Sequence, residues 1–411
     1  MRIGICSFTY YPNEDGTSRA CQNMVRALVE SNHSVTIMTL DPQINISEYP
    51  QGVTIKRFNI HGGPLPRYQY KGEINEFIAT LKKSSFDLII FNGYNLFDVI
   101  ADILNQFKIP VILVSHGYSP LLWVPTNKFP FGLFSLFCRV IRALSFPVWV
   151  RKLKKIIFLS SKADLVSFFD VFLSKIFNAK NIDILPNCVD DISNIQNNLS
   201  FRNKFGIQAS SILFLCVANY SRRKNQELAL AAYRKANLSN SVLVFIGSEF
   251  NDYAHHCIEL DNILKKSYSD GRVIFLERVS RELTTSAIKE ADCCVLSATQ
   301  EAQPIFLLES MSASVPWIAL DAGCINELEG GKCVKNIHQM IEAMQLFYAE
   351  KKLRIIYGNK GKGDQLNKYS YEIYKKKLID IVDKLASISA DSIQTVKLTR
   401  SHKIAFTKNI T

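Results

Sequence analysis

Short apolar runs alternate with helical patterns along nearly the whole chain, and the series is run through twice. Ile3–Ser7 is an apolar run bounded by turn chemistry in YYPNEDGTS. In the SRACQNMVRALVES that follows, Cys21, Met24, Val25 and Leu28 fall at i, i+3, i+4 and i+7, one face of an amphipathic helix. Strand-like VTIMTL, VTIKRF, DLIIF and PVILVS then interleave with helical EINEFIATLKK and FDVIADILNQF. After ILPN at 184–187 a polar, Asn-rich linker, VDDISNIQNNLSFRN, separates a second series. It runs ILFLCV, QELALAAYRKA, SVLVFI, HHCIELDNILKK, RVIFL, RELTTSAIKEA, CCVLSA, PIFLLESMSA and PWIAL. Strands separated by helices predict parallel βαβ units, and uninterrupted apolar strands suit sheets covered on both faces.

The expected architecture is therefore α/β: two Rossmann-like, doubly wound domains facing each other across a cleft. The first spans 1–190 and the second 191–368. A C-terminal helix over 369–390 packs back on the first domain, and 391–411 is a basic polar tail. Ligands of such sheets bind beyond the carboxyl ends of the strands. The 411 residues with 47% hydrophobic content suffice for two buried cores and exclude a disordered chain. MRIGICSFTYYP lacks the features of a signal peptide, and no window is apolar enough for a spanning helix. The 10 cysteines form no Cys-x-x-Cys pair and the histidines show no ligand spacing with them, so no metal site and a reduced, cytoplasmic protein are expected.

Lys plus Arg number 49 against 37 Asp plus Glu, a net charge of +12, which points to an anionic partner. Part of the excess is local. From Ile103 to Ala163 there is no acidic residue. Arg139, Arg142, Arg151, Lys152, Lys154 and Lys155 lie there among Phe, Leu and Trp, the composition of an element in the headgroup region of an anionic membrane. A core helix with basic ends has the same composition. No nucleic-acid-binding motif accompanies the charge.

Three segments carry chemistry. In TQEAQPIFLLESMSASVPWIALDAGCINELEGG, Glu301 follows a buried strand and Pro304 suits the first turn of the next helix. The backbone of Gln303, Pro304, Ile305 and Phe306 would then open a helix whose N–H groups make an anion site. Glu309 would lie about a turn and a half inside. A capped helix with two solvated glutamates reads identically. In VANYSRRKNQELA, between strand and helix, Lys224 with Arg222 or Arg223 would stabilise a diphosphate leaving group. In VILVSHGYSP, His116 follows a buried strand, where an imidazole either positions a hydroxyl or takes its proton.

Taken in order along residues 1–385, these segments resemble the retaining glycosyltransferases of the GT-B fold, family 4, also called group 1. Glu301 and Glu309 match the E-x7-E element. Asp321, Gly323 and Glu327 match the D-x-G-x-x-E segment, and Pro186-Asn187-Cys188-Val189-Asp190 the PNGVD element. His116-Gly117 matches the HG after a strand, and Gly16 the glycine of the first loop. Ala218 to Asn225 matches the basic diphosphate loop. The resemblance implies that Gly16, Asn219, Arg222, Arg223, Lys224, Gln303, Pro304, Ile305, Phe306 and Glu309 bind a nucleotide-diphosphate-sugar donor. It implies that Glu301 meets the sugar hydroxyls, Glu309 the ribose, and that His116 and Glu301 serve catalysis. It further implies retention of configuration, no metal and no separate cofactor. With the basic stretch, the acceptor would be a glycan or glycolipid, and the enzyme would be peripheral to the inner face of the membrane. A nucleotide-sugar epimerase or a non-catalytic nucleotide-sugar-binding protein would share these motifs. Several positions depart from the pattern: Asn219 replaces a frequent Arg, Ala302-Gln303 the usual Gly-Phe, and Cys188, Glu277 and Ser314 frequent glycines.

Overall fold

The computed structural model of the protein describes residues 1–13, 15–40, 52–62, 70–107, 109–117, 146–148, 150–164, 167–195, 199–268 and 271–385. Arg139, Arg142 and the 391–411 tail lie outside the described residues.

The first series forms a seven-stranded sheet. Its strands are β1 (Arg2–Ser7), β2 (Ser34–Leu40), β3 (Val53–Phe58), β6 (Leu88–Asn92), β7 (Val111–Ser115), β8 (Lys155–Phe158) and β9 (Ile182–Ile184), in the order β3-β2-β1-β6-β7-β8-β9. A small antiparallel pair, β4 (Ile60–His61) with β5 (Lys71–Gly72), stands apart. The helices are α1 (Gly16–Glu30), α2 (Ile74–Lys83), α3 (Tyr94–Ile100) and α4 (Phe169–Ile176). Asp15 caps α1 by accepting from the Thr17 and Ser18 amides, and Cys21, Met24, Val25 and Leu28 are its buried face. The single helix expected over FDVIADILNQF is instead α3 followed by a 3-10 turn, Ala101–Gln106. Its buried residues Ala101 and Leu104 are three apart, the period of the tighter helix.

The second series forms a six-stranded, wholly parallel sheet. Its strands are β10 (Ile212–Val217), β11 (Ser241–Gly247), β12 (Arg272–Glu277), β13 (Cys293–Leu296), β14 (Trp317–Leu320) and β15 (Gly331–Val334), in the order β12-β11-β10-β13-β14-β15. The helices are α5 (Phe201–Phe205), α6 (Gln226–Ala236), α7 (Asp252–Lys265), α8 (Arg281–Glu290), α9 (Ile305–Ser312), α10 (Ile337–Ala349) and α11 (Lys351–Asp364), and residues 371–385 form α12. Leu213, Leu215, Val242 and Val244 pack with α8 and α9 on one face. Phe214, Cys216, Leu243 and Phe245 pack with α6 and α10 on the other. The continuous apolar strands of the sequence are thus buried on both sides. Part of the expected linker is structured: α5 buries Phe201 completely, and Glu290 accepts from the Phe201 and Arg202 amides at 3.0 and 2.8 Å.

By internal contacts the described residues fall into two compact units. One comprises those within 1–62, 70–113 and from 372 onward, the other those within 114–371. In the first, Lys375 of α12 pairs with Glu30 of α1 at 2.7 Å. In the second, the strand order reverses between β10 and β13. Loops leaving the carboxyl ends of two such strands diverge and leave a crevice, the usual ligand position in a doubly wound sheet.

Candidate active site

The two loops at that reversal are stitched together. Residues 218–225 connect β10 to α6, and 297–304 connect β13 to α9. The Thr299 amide donates to the Arg223 carbonyl at 3.0 Å, and the Ser297 hydroxyl to the Asn225 carbonyl at 2.7 Å. Arg223 reaches the Gln300 carbonyl with Nη1 at 3.4 Å. Lys224 Nζ donates directly to Glu301 Oε1, and both side chains are largely withdrawn from solvent. The basic loop and the first glutamate of the E-x7-E element therefore form one unit.

Gln226, which the sequence reading passed over, holds this loop from beneath. It is fully buried, and its Nε2 donates to the Ala218 and Asn219 carbonyls at 3.2 and 3.0 Å. Arg222 is exposed and, among the described residues, has no side-chain partner, whereas Arg223 is tethered to Gln300. Asn219 is exposed as well.

Pro304 is the N-cap of α9 rather than a residue of its first turn, and it supplies no side-chain cap. A proline also offers no N–H, so the amides at the helix mouth are those of Ile305 and Phe306. Gln303 is turned elsewhere: its Oε1 accepts the Asn187 amide at 2.6 Å, and its carbonyl accepts Asn187 Nδ2 at 3.3 Å. This double clasp, donated on both arms by Asn187, ties the PNGVD-like element to the loop ahead of α9. Glu309, 5% exposed, is gripped by Arg281, with Nη1 donating to Oε2 at 3.2 Å and Nη2 to Oε1. Arg281 carried no signal in the sequence.

His116 is half-buried at the end of β7. The strand end is anchored by Ser115, whose hydroxyl donates to the fully buried Asp170. Gly117 has a φ of +92°, and a Cβ there would lie 3.0 Å from the Ala302 Cβ. Only glycine permits that conformation and approach at low cost, and it brings the His116-Gly117 turn against the residue next to Glu301. Gly323 does the same from the other side. Its φ is +56°, and a Cβ would meet the Glu301 and Ala302 carbonyls at 2.1 and 2.4 Å. The other members of D-x-G-x-x-E are engaged within the fold. Both Glu327 carboxylate oxygens lie 2.8 Å from the Ser160 hydroxyl, which shares its one proton between them, and Asp321 lies 3.9 Å from Lys162, which also donates to the Gly323 carbonyl.

Gly16 opens α1 in the other unit, with open space at its Cβ position. Of the basic stretch, Arg151, Lys152 and Lys154 are exposed, whereas Lys155 begins β8 and is paired with Asp183 at 2.7 Å. Its charge is compensated inside the fold and does not belong with the others.

The geometry offers one buried carboxylate held by a lysine, a second held by an arginine, an arginine with no side-chain partner among the described residues, and the mouth of α9. Carboxylates of this kind accept from hydroxyl groups, and exposed cations suit an anion. Comparison with known proteins shows the family. The family described as "Glycosyltransferase Family 4" matches residues 15–191, and "Glycosyl transferases group 1" matches residues 197–330. An alpha-monoglucosyldiacylglycerol synthase of Streptococcus pneumoniae is 24% identical over 343 residues, 81% of this chain and 74% of that protein. Sucrose-phosphate synthase from Thermosynechococcus elongatus superposes with a TM-score of 0.75 at 17% identity, over 94% of this chain and 100% of that one. Anabaena HepE in complex with UDP and glucose does so at 0.69 and 14%, over 93% and 99%. WaaG, a glycosyltransferase involved in lipopolysaccharide biosynthesis, does so at 0.66 and 18%, over 92% and 98%. The structural likenesses are of fold, the GT-B fold. The two family matches leave only 192–196 unclaimed between residues 15 and 330, and with them the chain belongs to the group 1 glycosyltransferases.

Proposed function

We propose that the enzyme moves a sugar from a nucleotide-diphosphate-sugar to a hydroxyl of a lipid-linked glycan precursor, retaining the anomeric configuration and using no metal. The observation that carries this is the stitched pair of loops, which holds Lys224 against Glu301 just ahead of α9. In the transfer, the bond between the anomeric carbon and the diphosphate oxygen breaks as the acceptor oxygen bonds to that carbon on the same face. Negative charge grows on the departing diphosphate, and Lys224 and Arg222 stabilise it. Glu301 accepts hydrogen bonds from the sugar hydroxyls, and Glu309 accepts from the ribose. His116, whose neighbour Gly117 packs against Ala302, positions the acceptor or the sugar. The sequence offers no Asp-x-Asp pair to carry a metal-bound diphosphate, and the loop cations supply that charge instead.

The lipid-linked acceptor is supported by the name of the streptococcal relative and by the lipopolysaccharide role stated for WaaG. Exposed Arg151, Lys152 and Lys154 follow Val148, which is 58% exposed, and this suits contact with an anionic surface at the cytoplasmic face. No helix among the described residues is long and apolar enough to cross a membrane, so such contact would be peripheral.

The test is thermal melting against UDP, GDP, ADP and CMP sugars, followed by a transfer assay with whichever donor binds. Ligand at about 100 times its dissociation constant adds about 2.7 kcal/mol. One donor should raise the melting point, Lys224→Ala and Glu309→Ala should abolish that rise, and Glu301→Gln should retain it while lowering turnover. A bound donor with no transfer to any lipid-linked acceptor would mark a binding protein instead. Sedimentation with anionic but not neutral vesicles is expected, and equal binding to both would remove the electrostatic part.

A further inference from the structure

Glu309 sits within an eight-residue helix, almost wholly buried, and its partner comes from a different helix 28 residues earlier in the chain. Arg281 is itself rigidly placed. It is the first residue of α8, whose N-cap Ser280 accepts from the Leu283 amide at 3.3 Å. The Arg281 carbonyl accepts from the Thr285 hydroxyl at 2.9 Å. The guanidinium donates to both oxygens of Glu309, one from each terminal nitrogen. Such a fork fixes the plane of a carboxylate as well as its position, which a lysine on the same spot would not do.

Each carboxylate oxygen has two acceptor sites, so the arginine fork alone does not use up the carboxylate. Stability alone explains the pair poorly, because buried ion pairs add little over apolar residues of the same size. Orientation explains it better. We propose that Arg281 is a positioning residue of the donor site: it sets Glu309 in the orientation from which the carboxylate takes the ribose hydroxyls, and so sets preference for ribo- over deoxyribonucleotides. This rests on the donor reading above.

The experiment measures dissociation constants by calorimetry for the nucleoside diphosphate that shifts wild-type melting, for its 2′-deoxy and 3′-deoxy forms, and for inorganic pyrophosphate. The proteins are wild type, Arg281→Gln and Arg281→Lys. Loss of one hydroxyl bond to a charged acceptor weakens binding about tenfold or more, so wild type should prefer the ribonucleotide by about that factor. In Arg281→Gln the preference should fall to about twofold or less, through weaker ribonucleotide binding, with pyrophosphate affinity unchanged. Arg281→Lys, which keeps the charge and the fold but not the fork, should fall between. A general loosening of the site would weaken pyrophosphate in parallel, and a competing arginine would give tighter binding once removed; either result overturns the proposal, as does an unchanged preference in both variants. If wild type binds no nucleoside diphosphate, the donor reading itself fails, and this inference with it.

Discussion

Replacing Gly323 by alanine puts the placement of Glu301 to a direct test. The backbone at 323 has a φ of +56°, a region that costs a residue with a Cβ roughly 1–2 kcal/mol. The added methyl would also lie 2.1 Å from the Glu301 carbonyl oxygen, so the two segments must separate by about 0.9 Å to reach even a 3.0 Å contact. That movement strains the 3.0 Å bond from the Cys324 amide to the Ala302 carbonyl and displaces the backbone carrying Glu301. A displacement near 1 Å in a positioning group costs about 100-fold in rate, or about 2.7 kcal/mol of barrier. Gly363 provides the control, since it lies on α11 with nothing within 4 Å of its Cβ position. Gly363→Ala should stabilise by about 0.5–1 kcal/mol and leave transfer untouched. The assay is turnover with the identified donor at saturation, alongside melting of the ligand-free proteins. If Gly323→Ala turns over within about threefold of wild type, the tight seating of Glu301 against residue 323 has no part in transfer.

Three further outcomes are expected. Ser314, at φ +58°, occupies the left-handed position of a Schellman turn, with the Val315 amide donating to the Ser310 carbonyl and the Ser314 amide to Met311; Ser314→Gly should stabilise by about 0.5–1 kcal/mol, and a lower melting point would count against that account. Burial pushes the Cys216 and Cys294 thiols up to about 12, in Cys216 despite nearby Lys224, whereas Cys333 is exposed; brief alkylation at pH 8 should label Cys333 before either, as mass spectrometry of the peptides will show. For Asp191, burial is the largest influence and raises its affinity for protons, but bonds from Lys362 and Ser193 outweigh it and hold the carboxyl below its usual range. The stability this contributes is present above the unfolded-state value and lost as pH falls through the folded one. Lys362→Met should therefore lose less stability than wild type between pH 7 and pH 3 in urea titrations, by under about 1 kcal/mol given the partial exposure of Asp191.

The strand–helix alternation was readable wherever strands are continuous apolar runs, as in β1, β6, β10 and β11, because burial on both faces leaves no polar position to interrupt them. The end of the second unit was not. α11 contains Gly358 and Gly361, residues that argue against a helix, yet a Cβ at Gly358 would meet the Ser314 carbonyl at 2.0 Å and one at Gly361 the Met311 Cγ at 3.2 Å. Close packing requires them small, and no local pattern reveals a neighbour 44 residues away. The same limit hid the support of the site. Lys224 and Glu301 stood out because each follows a strand in a loop of marked composition. Arg281 reads as an ordinary polar helix start, and Gln226 as a surface residue. The Asn187–Gln303 clasp joins segments 116 residues apart. What these three do is defined only by their partners.

The order of strands in the second sheet also governs when the site can come into being. β10, β11 and β12 are neighbours in space and follow one another in the chain, so short crossovers assemble them. The site additionally needs β13 on the far side of β10, with Phe214 opposite Cys293, a closure over nearly 80 residues that comes with the slower, non-local part of folding. Refolding should therefore recover helix content before it recovers the contact of Lys224 with Glu301. A nascent chain released before Leu296 would hold the entire basic loop and still lack the surface on which that loop is set.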